Sequence, residues 1–335
     1  MSEAGESRAP RPARRASGRA ARPRPVWGGR AALVLLLALL LCAACGGGPD
    51  GGAAGPAAAG AAGGRDRPAR IISLSPNTTE ILHGVGAFGR VVAVSDYCTY
   101  PPEAARLPKV GGWNNPNLEQ IASLEPDLVI FSEAQSQFVK DRVEALGVRA
   151  VGVPSRSLED VYAAIAEVGR AAGEEEAAAR LLGETRGAVD EVRRRAAGLP
   201  RRRVLCVVDR VPGTLRDIYT AAGGSFIAEL IEAAGGEVIA PPAQSGWGKV
   251  QKEAVIALDP EVIIDMVQSA EGSLAEDPLA VWRELGTVRA VRDGRVHPVR
   301  DVTLIHPSQF VGTTARRFAE MIHPEVFGGS AGGGR

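Results

Sequence analysis

Apolar residues fall into two kinds of run along this chain. Short continuous runs, such as Leu128-Val129-Ile130 and Val262-Ile263-Ile264, read as strands covered on both faces. Apolar residues spaced three and four apart, as in Leu181, Leu182, Val189 and Val192, read as the buried stripe of a helix. The two kinds alternate, which predicts parallel sheets with helices on their faces. Strands are expected over Arg70 to Ser75, Arg90 to Val94, Leu128 to Ile130 and Arg149 to Val153, then near Val204, Val238, Val262 and Val296. Helices are expected from Pro76 to Leu82, from Gln137 to Leu146, from about Ser157, and from Ser308 to Ile322. Asn77 reads as the N-cap of the first, with Glu80 as its return partner.

One helix stands apart. Glu174 to Ala197 opens with three Glu and closes on Arg193-Arg194-Arg195, a charge order that suits the helix dipole at both ends. At 1.5 Å per residue it spans about 36 Å. Gly198-Leu199-Pro200 stops it.

A repeat flanks that helix. Gly112-Trp113 recurs as Gly246-Trp247, Glu119 as Glu253, Leu124 as Leu258 and Pro126 as Pro260, with Asp127 matched by Glu261. Each copy reads as a Trp-bearing loop, a short helix, a Pro stop and a buried strand, and Asn117 with Gln120 fits an N-cap pair in the first. Such a repeat is one supersecondary unit present in two lobes. The organisation expected is an N-terminal α/β lobe over 70–172, a connecting helix over 173–199, a C-terminal α/β lobe over 200–327 and a frayed tail over 328–335.

Composition changes the picture mainly at the N-terminus. The 335 residues balance 39 basic against 39 acidic side chains, but residues 1–44 hold eight Arg and two Glu. The remainder carries 31 basic and 37 acidic residues, a net charge of −6, with no basic patch interleaved with aromatics, so nucleic acid is not an expected partner. The Arg-rich start leads into an apolar run from Ala31 to Leu41, short for a bilayer span and suited to a signal peptide over 1–44. Small residues before Cys45 resemble a bacterial lipobox, with lipid on the Cys45 thiol, although Cys42 stands where an aliphatic residue is usual. Gly, Ala and Pro then fill a tether over 45–69.

Several motif matches fail on context. Gly84 to Gly89 has the spacing of a dinucleotide fingerprint but follows a helix and precedes a strand, the reverse of what a pyrophosphate needs. Gly328 to Gly332 fits a nucleophile elbow but follows no strand. Cys98 and Cys206 read as free thiols. The four His form no metal-ligand spacing, so no resident metal or cofactor is expected. His83 reads as structural, and His306 is a candidate single contact to a metal already held by other ligands, with Cys98 a weaker one.

The segments Arg70-Ile-Ile-Ser-Leu-Ser-Pro-Asn-Thr-Thr-Glu80, Asp96-Tyr-Cys-Thr-Tyr-Pro-Pro102 and Trp113 with Asn117-Leu118-Glu119 carry a resemblance. The chain from Arg70 to about Phe327 resembles the helical-backbone substrate-binding proteins of ABC importers, and within them the cobalamin binders. That resemblance implies two Rossmann-like α/β lobes on one backbone helix, a ligand held between them, and binding without catalysis. It implies that Tyr97 or Tyr100, Trp113, Tyr219 and Trp247 line the cleft, with Asp301 adding a polar contact. Val302 stands where cobalamin binders tend to carry an aromatic, and His306-Pro307 has no counterpart.

Flat, rigid side chains with polar tips suit a planar macrocycle, which is what Tyr and Trp provide in a chain only 4% aromatic. The cargo expected is cobalamin or a related corrinoid, with haem or a ferric siderophore as alternatives. Glu119 and Glu253 are expected to dock on a permease dimer coupled to its ATPase, and each also suits a helix first turn. The protein is expected to act as a monomer, exported and lipid-anchored. A different class stays open: an exported enzyme with its site between two lobes.

Overall fold

A computed structural model describes residues 67–240, 246–267 and 277–328. The signal-peptide region, Cys45, most of the tether and the tail beyond Gly328 lie outside these.

The N-terminal lobe is built as strand β1 (Ile71–Ser73), helix α1 (Pro76–Gly84), β2 (Val91–Val94), α2 (Leu118–Ser123), β3 (Leu128–Ser132), α3 (Ser136–Glu144), β4 (Arg149–Val153) and α4 (Leu158–Ala172). Its sheet has the order β2-β1-β3-β4, and every pairing is parallel. All five residues of β3 are buried, as a continuous apolar run in a covered sheet should be.

Helix α5 (Glu175–Ala196) leads into the C-terminal lobe. There follow β5 (Arg202–Asp209), β6 (Ile218–Ala221), α6 (Phe226–Ala233), β7 (Gly236–Val238), β8 (Trp247–Val250), α7 (Lys252–Leu258), β9 (Val262–Asp265), α8 (Pro278–Trp282), α9 (Arg289–Arg292), β10 (Val296–Pro298), α10 (Val311–Ile322) and α11 (Pro324–Phe327). The sheet order is β10-β9-β5-β6-β8, with β7 also on β5. This sheet is mixed: β5 with β6 and β6 with β8 run antiparallel, where the pattern predicted parallel strands throughout. The two missed strands are short, and β8 alternates exposed and buried residues as a ribbon with one wet face does.

The repeat is a structural one. In each lobe its strand pairs in parallel with the lobe's first strand, β3 on β1 and β9 on β5. Asp127 accepts from the Arg70 amide at 2.8 Å and returns its own amide to the Arg70 carbonyl. Glu261 does the same to Arg203, at 2.9 Å. Glu125 and Asp259, the residues before the matched prolines, both take positive φ, 44° and 39°. That left-handed turn swings each chain from helix into strand.

Helix α5 belongs to both cores. Ala178, Leu181 and Leu182 pack into the N-terminal core, and Val189, Val192 and Ala196 into the C-terminal one. Two glycines let neighbouring helices seat on it. A Cβ at Gly169 of α4 would come within 2.2 Å of the Ala178 Cβ, and one at Gly312 of α10 within 2.7 Å of the Ala188 Cβ. Helix α4 also reaches across, since Leu158, Val161 and Tyr162 join the C-terminal core.

Two local expectations are corrected. Helix α1 starts at Pro76, with Ser75 rather than Asn77 at the N-cap. Proline's fixed φ and missing N–H suit the first helical position, so it sets the start. Asn77 lies inside the helix and its Oδ1 accepts from Ser75 Oγ at 2.6 Å. Glu80 is therefore no box partner; it is buried and turns toward the other lobe. In the second repeat, Trp247 opens a strand rather than sitting in a loop.

Candidate functional site

Parallel strands leave a crevice beyond their carboxyl ends, where the chain turns into the next helix. The N-terminal lobe follows this rule. Pro76 and Asn77 follow β1, Ser132 to Ala134 end and follow β3, and Ser155, Arg156 and Asp160 follow β4; all line one cleft of about 870 Å³. Trp113 completes this wall from the loop before α2. The facing wall comes from the C-terminal lobe: Phe226 at the start of α6, Trp247 at the start of β8, and Ile305-His306-Pro307.

The floor of the cleft is stitched across the lobes. The Phe226 amide donates to the Arg156 carbonyl at 2.7 Å. Glu229, in the first turn of α6, accepts from the Leu158 amide at 2.8 Å, so two helix N-termini share one carboxylate. Glu80 Oε1 lies 2.6 Å from His306 Nδ1, and Gln309 Nε2 donates to the Glu80 carbonyl at 2.9 Å.

The side chains singled out in the sequence divide into three groups. Trp113 and Trp247 lie on the same cleft, one from each wall, and each keeps 37% of its surface exposed. His306 is on the same lining. A second group stands outside the lining. Tyr97 is exposed beside the Trp113 loop, where a Cβ on Gly112 would be 3.7 Å from its ring. Tyr219 shares the wet face of the β6–β8 ribbon with Trp247, one step farther out, and Lys249 sits over its ring at 5.4 Å. Tyr100 is wedged edge-on between His83 and Phe310, centroids 5.2 and 5.0 Å away, so it joins the lobes. Asp301 caps the turn over Val302–Ile305 by accepting from the Thr303 amide and hydroxyl. Both of those side chains are committed to packing or capping and do not reach the lining.

The third group is the matched carboxylates. Glu119 and Glu253 are exposed in the first turns of α2 and α7. Neither forms an ion pair among the described residues.

Cys98 and Cys206 are free and buried. Burial raises the Cys98 thiol, and hydrogen bonds from Ser95 and Thr79 do not offset it. Burial also raises Cys206, helped by the nearby Asp265. Both are fully buried and neither is among the residues lining the cleft, so Cys98 does not reach a ligand held there. Among the described residues no group of three or more His, Cys, Asp or Glu could hold a metal ion.

Sequence reasoning missed Glu133, Ser155, Arg156 and Phe226. The positional signal was present, because the first three follow β3 and β4 directly and a carboxyl-end crevice is where they must fall.

A family model described as periplasmic binding protein matches residues 71–301. An uncharacterized ABC transporter substrate-binding lipoprotein, YvrC of Bacillus subtilis, is 29% identical over 272 residues, 78% of this chain and 82% of that one. A vitamin B12-binding protein of Yersinia pestis is 28% identical over 214 residues, 64% of this chain and 74% of that one. In structure, the periplasmic heme-binding protein RhuT from Roseiflexus matches with a TM-score of 0.67 at 24% identity, covering 77% of this chain and 98% of the other.

Proposed function

The chain belongs to the periplasmic binding protein family, and we propose that its cleft captures a corrinoid and hands it to an ABC importer outside the cytoplasm. One observation carries this reading. Two tryptophans at matched positions of an internal repeat line a single cleft of about 870 Å³ from opposite walls. Flat indole faces on both sides suit a flat macrocycle, and a cavity of this size accommodates a large cofactor-like molecule. The vitamin B12-binding relative supports the corrinoid over other cargo.

Tyr97 and Tyr219 extend the aromatic rims outward from Trp113 and Trp247. Glu119 and Glu253 are the docking contacts to the permease dimer, one per lobe. Cys45 carries the lipid anchor, and the protein acts as a monomer that binds without turnover. The enzyme alternative finds little support in the lining: the Ser132 hydroxyl bonds to that of Ser155, not to a base.

Haem is the second reading, supported by the similarity to a heme-binding protein and by an imidazole on the lining. The full-length protein titrated in parallel with cyanocobalamin, ferric haem and a ferric siderophore separates the readings. One-to-one binding of the corrinoid should quench the emission of Trp113 and Trp247, while the fully buried Trp282 gives a steadier background. Quenching by haem with none by the corrinoid moves the assignment to haem.

A further inference from the structure

The lining holds one imidazole, and its orientation is fixed from across the cleft. His306 belongs to the C-terminal wall, while the carboxylate against its Nδ1 belongs to α1 of the N-terminal lobe, at 2.6 Å. The Glu80 side chain is 1% exposed and that of His306 17%. The buried carboxylate has no other use in view: its second oxygen, Oε2, is buried without a partner. The Glu80 backbone is itself held, since Gln309 Nε2 donates to its carbonyl at 2.9 Å.

With Glu80 accepting as a carboxylate, Nδ1 is the donor, and the neutral ring in that tautomer has its lone pair on Nε2. Nε2 makes no bond among the described residues, and His306 lines the cleft that also holds the two indoles. Carboxylate on one nitrogen, free lone pair on the other, is the arrangement that orients an imidazole and raises its basicity toward a metal. A single side chain cannot hold a bare ion. It can supply the missing axial position to a metal whose four equatorial ligands come from a macrocycle.

Resting on the macrocycle reading above, we propose that His306 is an axial ligand to the metal of the bound macrocycle, and that Glu80 is the positioning residue that aims it. With an aquo-corrinoid the step is a ligand exchange: a cobalt–water bond breaks, water leaves, and the Nε2 lone pair forms the new bond with no change in oxidation state. The cargo preferred is therefore one that arrives with an exchangeable axial water.

The test uses the full-length protein with diaquocobinamide, whose axial waters exchange, and dicyanocobinamide, whose axial sites are blocked. Wild type should bind both, and the visible spectrum should shift to a nitrogen-ligated form only with the diaquo probe. His306→Gln keeps an amide N–H for Glu80 but has no imidazole. It should lose the shift, and its affinity for the diaquo probe should fall about tenfold or more relative to its affinity for the dicyano probe. Glu80→Gln should keep the shift but weaken diaquo binding by about tenfold. Wild type that binds both probes with no shift, or an H306Q protein that keeps the shift, overturns the assignment and leaves the corrinoid reading standing. Failure to bind either probe, with a His-ligated spectrum on ferric haem that H306Q abolishes, sinks the corrinoid reading and sustains His306 as the ligand. Failure to bind any macrocycle ends both.

Discussion

In the N-terminal repeat Trp113 rides on a loop pinched by a bridge between Gly111 and Pro116, and the helix after it is capped by the Asn117 side chain. In the C-terminal repeat Trp247 opens a strand paired antiparallel to β6, and the helix after it has no side-chain cap. The local structures differ, yet both indoles reach the cleft and both glutamates stand exposed in a first turn. What the copies share is spacing: six residues from Trp to Glu and seven from Glu to Pro. The scaffold replaces a loop by a strand while both indoles still reach the cleft. Position is preserved where local conformation is not.

If the copies are equal partners in binding, removing either indole should cost similarly. Trp113→Ala and Trp247→Ala are each expected to weaken corrinoid binding by about 2 kcal/mol, roughly thirtyfold. The double change should leave no measurable binding by calorimetry. A loss confined to one of the two would show that the other is packing, and would break the symmetry argued above.

The glutamates ask the same question of the membrane partner. Glu119→Arg or Glu253→Arg should leave cargo affinity within about twofold, because rim charges govern docking more than a remote pocket. Each should cut uptake in a reconstituted transport assay, and the pair together should nearly abolish it. Normal transport by the double mutant would reduce both residues to helix-end charges. Lost cargo binding would place them in the pocket.

The smallest effect expected is the sharpest on local structure. Glu125 and Asp259 occupy matched left-handed turns, where glycine relieves strain. Glu125 is exposed, and Gly there should stabilise the protein by up to about 1 kcal/mol. Asp259 accepts from the Arg289 amide at 2.8 Å, and that bond, with the nearby guanidinium charge, holds its carboxyl below the usual range. Asp259→Gly should therefore destabilise. Thermal melts at neutral pH should move in opposite directions; equal gains from both would mean the Arg289 contact contributes nothing. Falling pH should shrink the Asp259 effect as the carboxylate protonates, since its contribution is present above the unfolded pKa and is lost through the depressed folded one.

Much of the fold was legible because it rests on contiguous signals. The apolar runs of β3 and β9, the charged ends of α5 and the Trp–Glu spacing are all read within a few dozen residues. Strands β6 and β8 were not, because a two-stranded ribbon with one wet face carries only four residues of weak alternation. The clearest miss is Glu80. Three residues after Asn77 it has the local look of a capping residue, and its partner His306 lies 226 positions away. Tyr100 failed for the same reason: an aromatic in a loop looks available until Phe310, from the other lobe, closes on it. Contacts that span lobes leave no trace in periodicity, and those that tie the two walls of the candidate site together are of this kind.

The close seats of Gly169 and Gly312 on α5 bear on how such a protein changes its diet over generations. Each seat sets how near one lobe lies to the shared helix, and neither touches the cleft. A methyl added at Gly169 would need more than an ångström of relief from Ala178, and one at Gly312 somewhat less from Ala188, so α4 or α10 would have to shift off α5 while every lining residue stayed the same. Where such a shift carried through to Trp113 and Trp247, the width between them would be set from behind the pocket, toward thicker or thinner cargo. Descendants with identical linings and different α5 seats would then part company in what they carry.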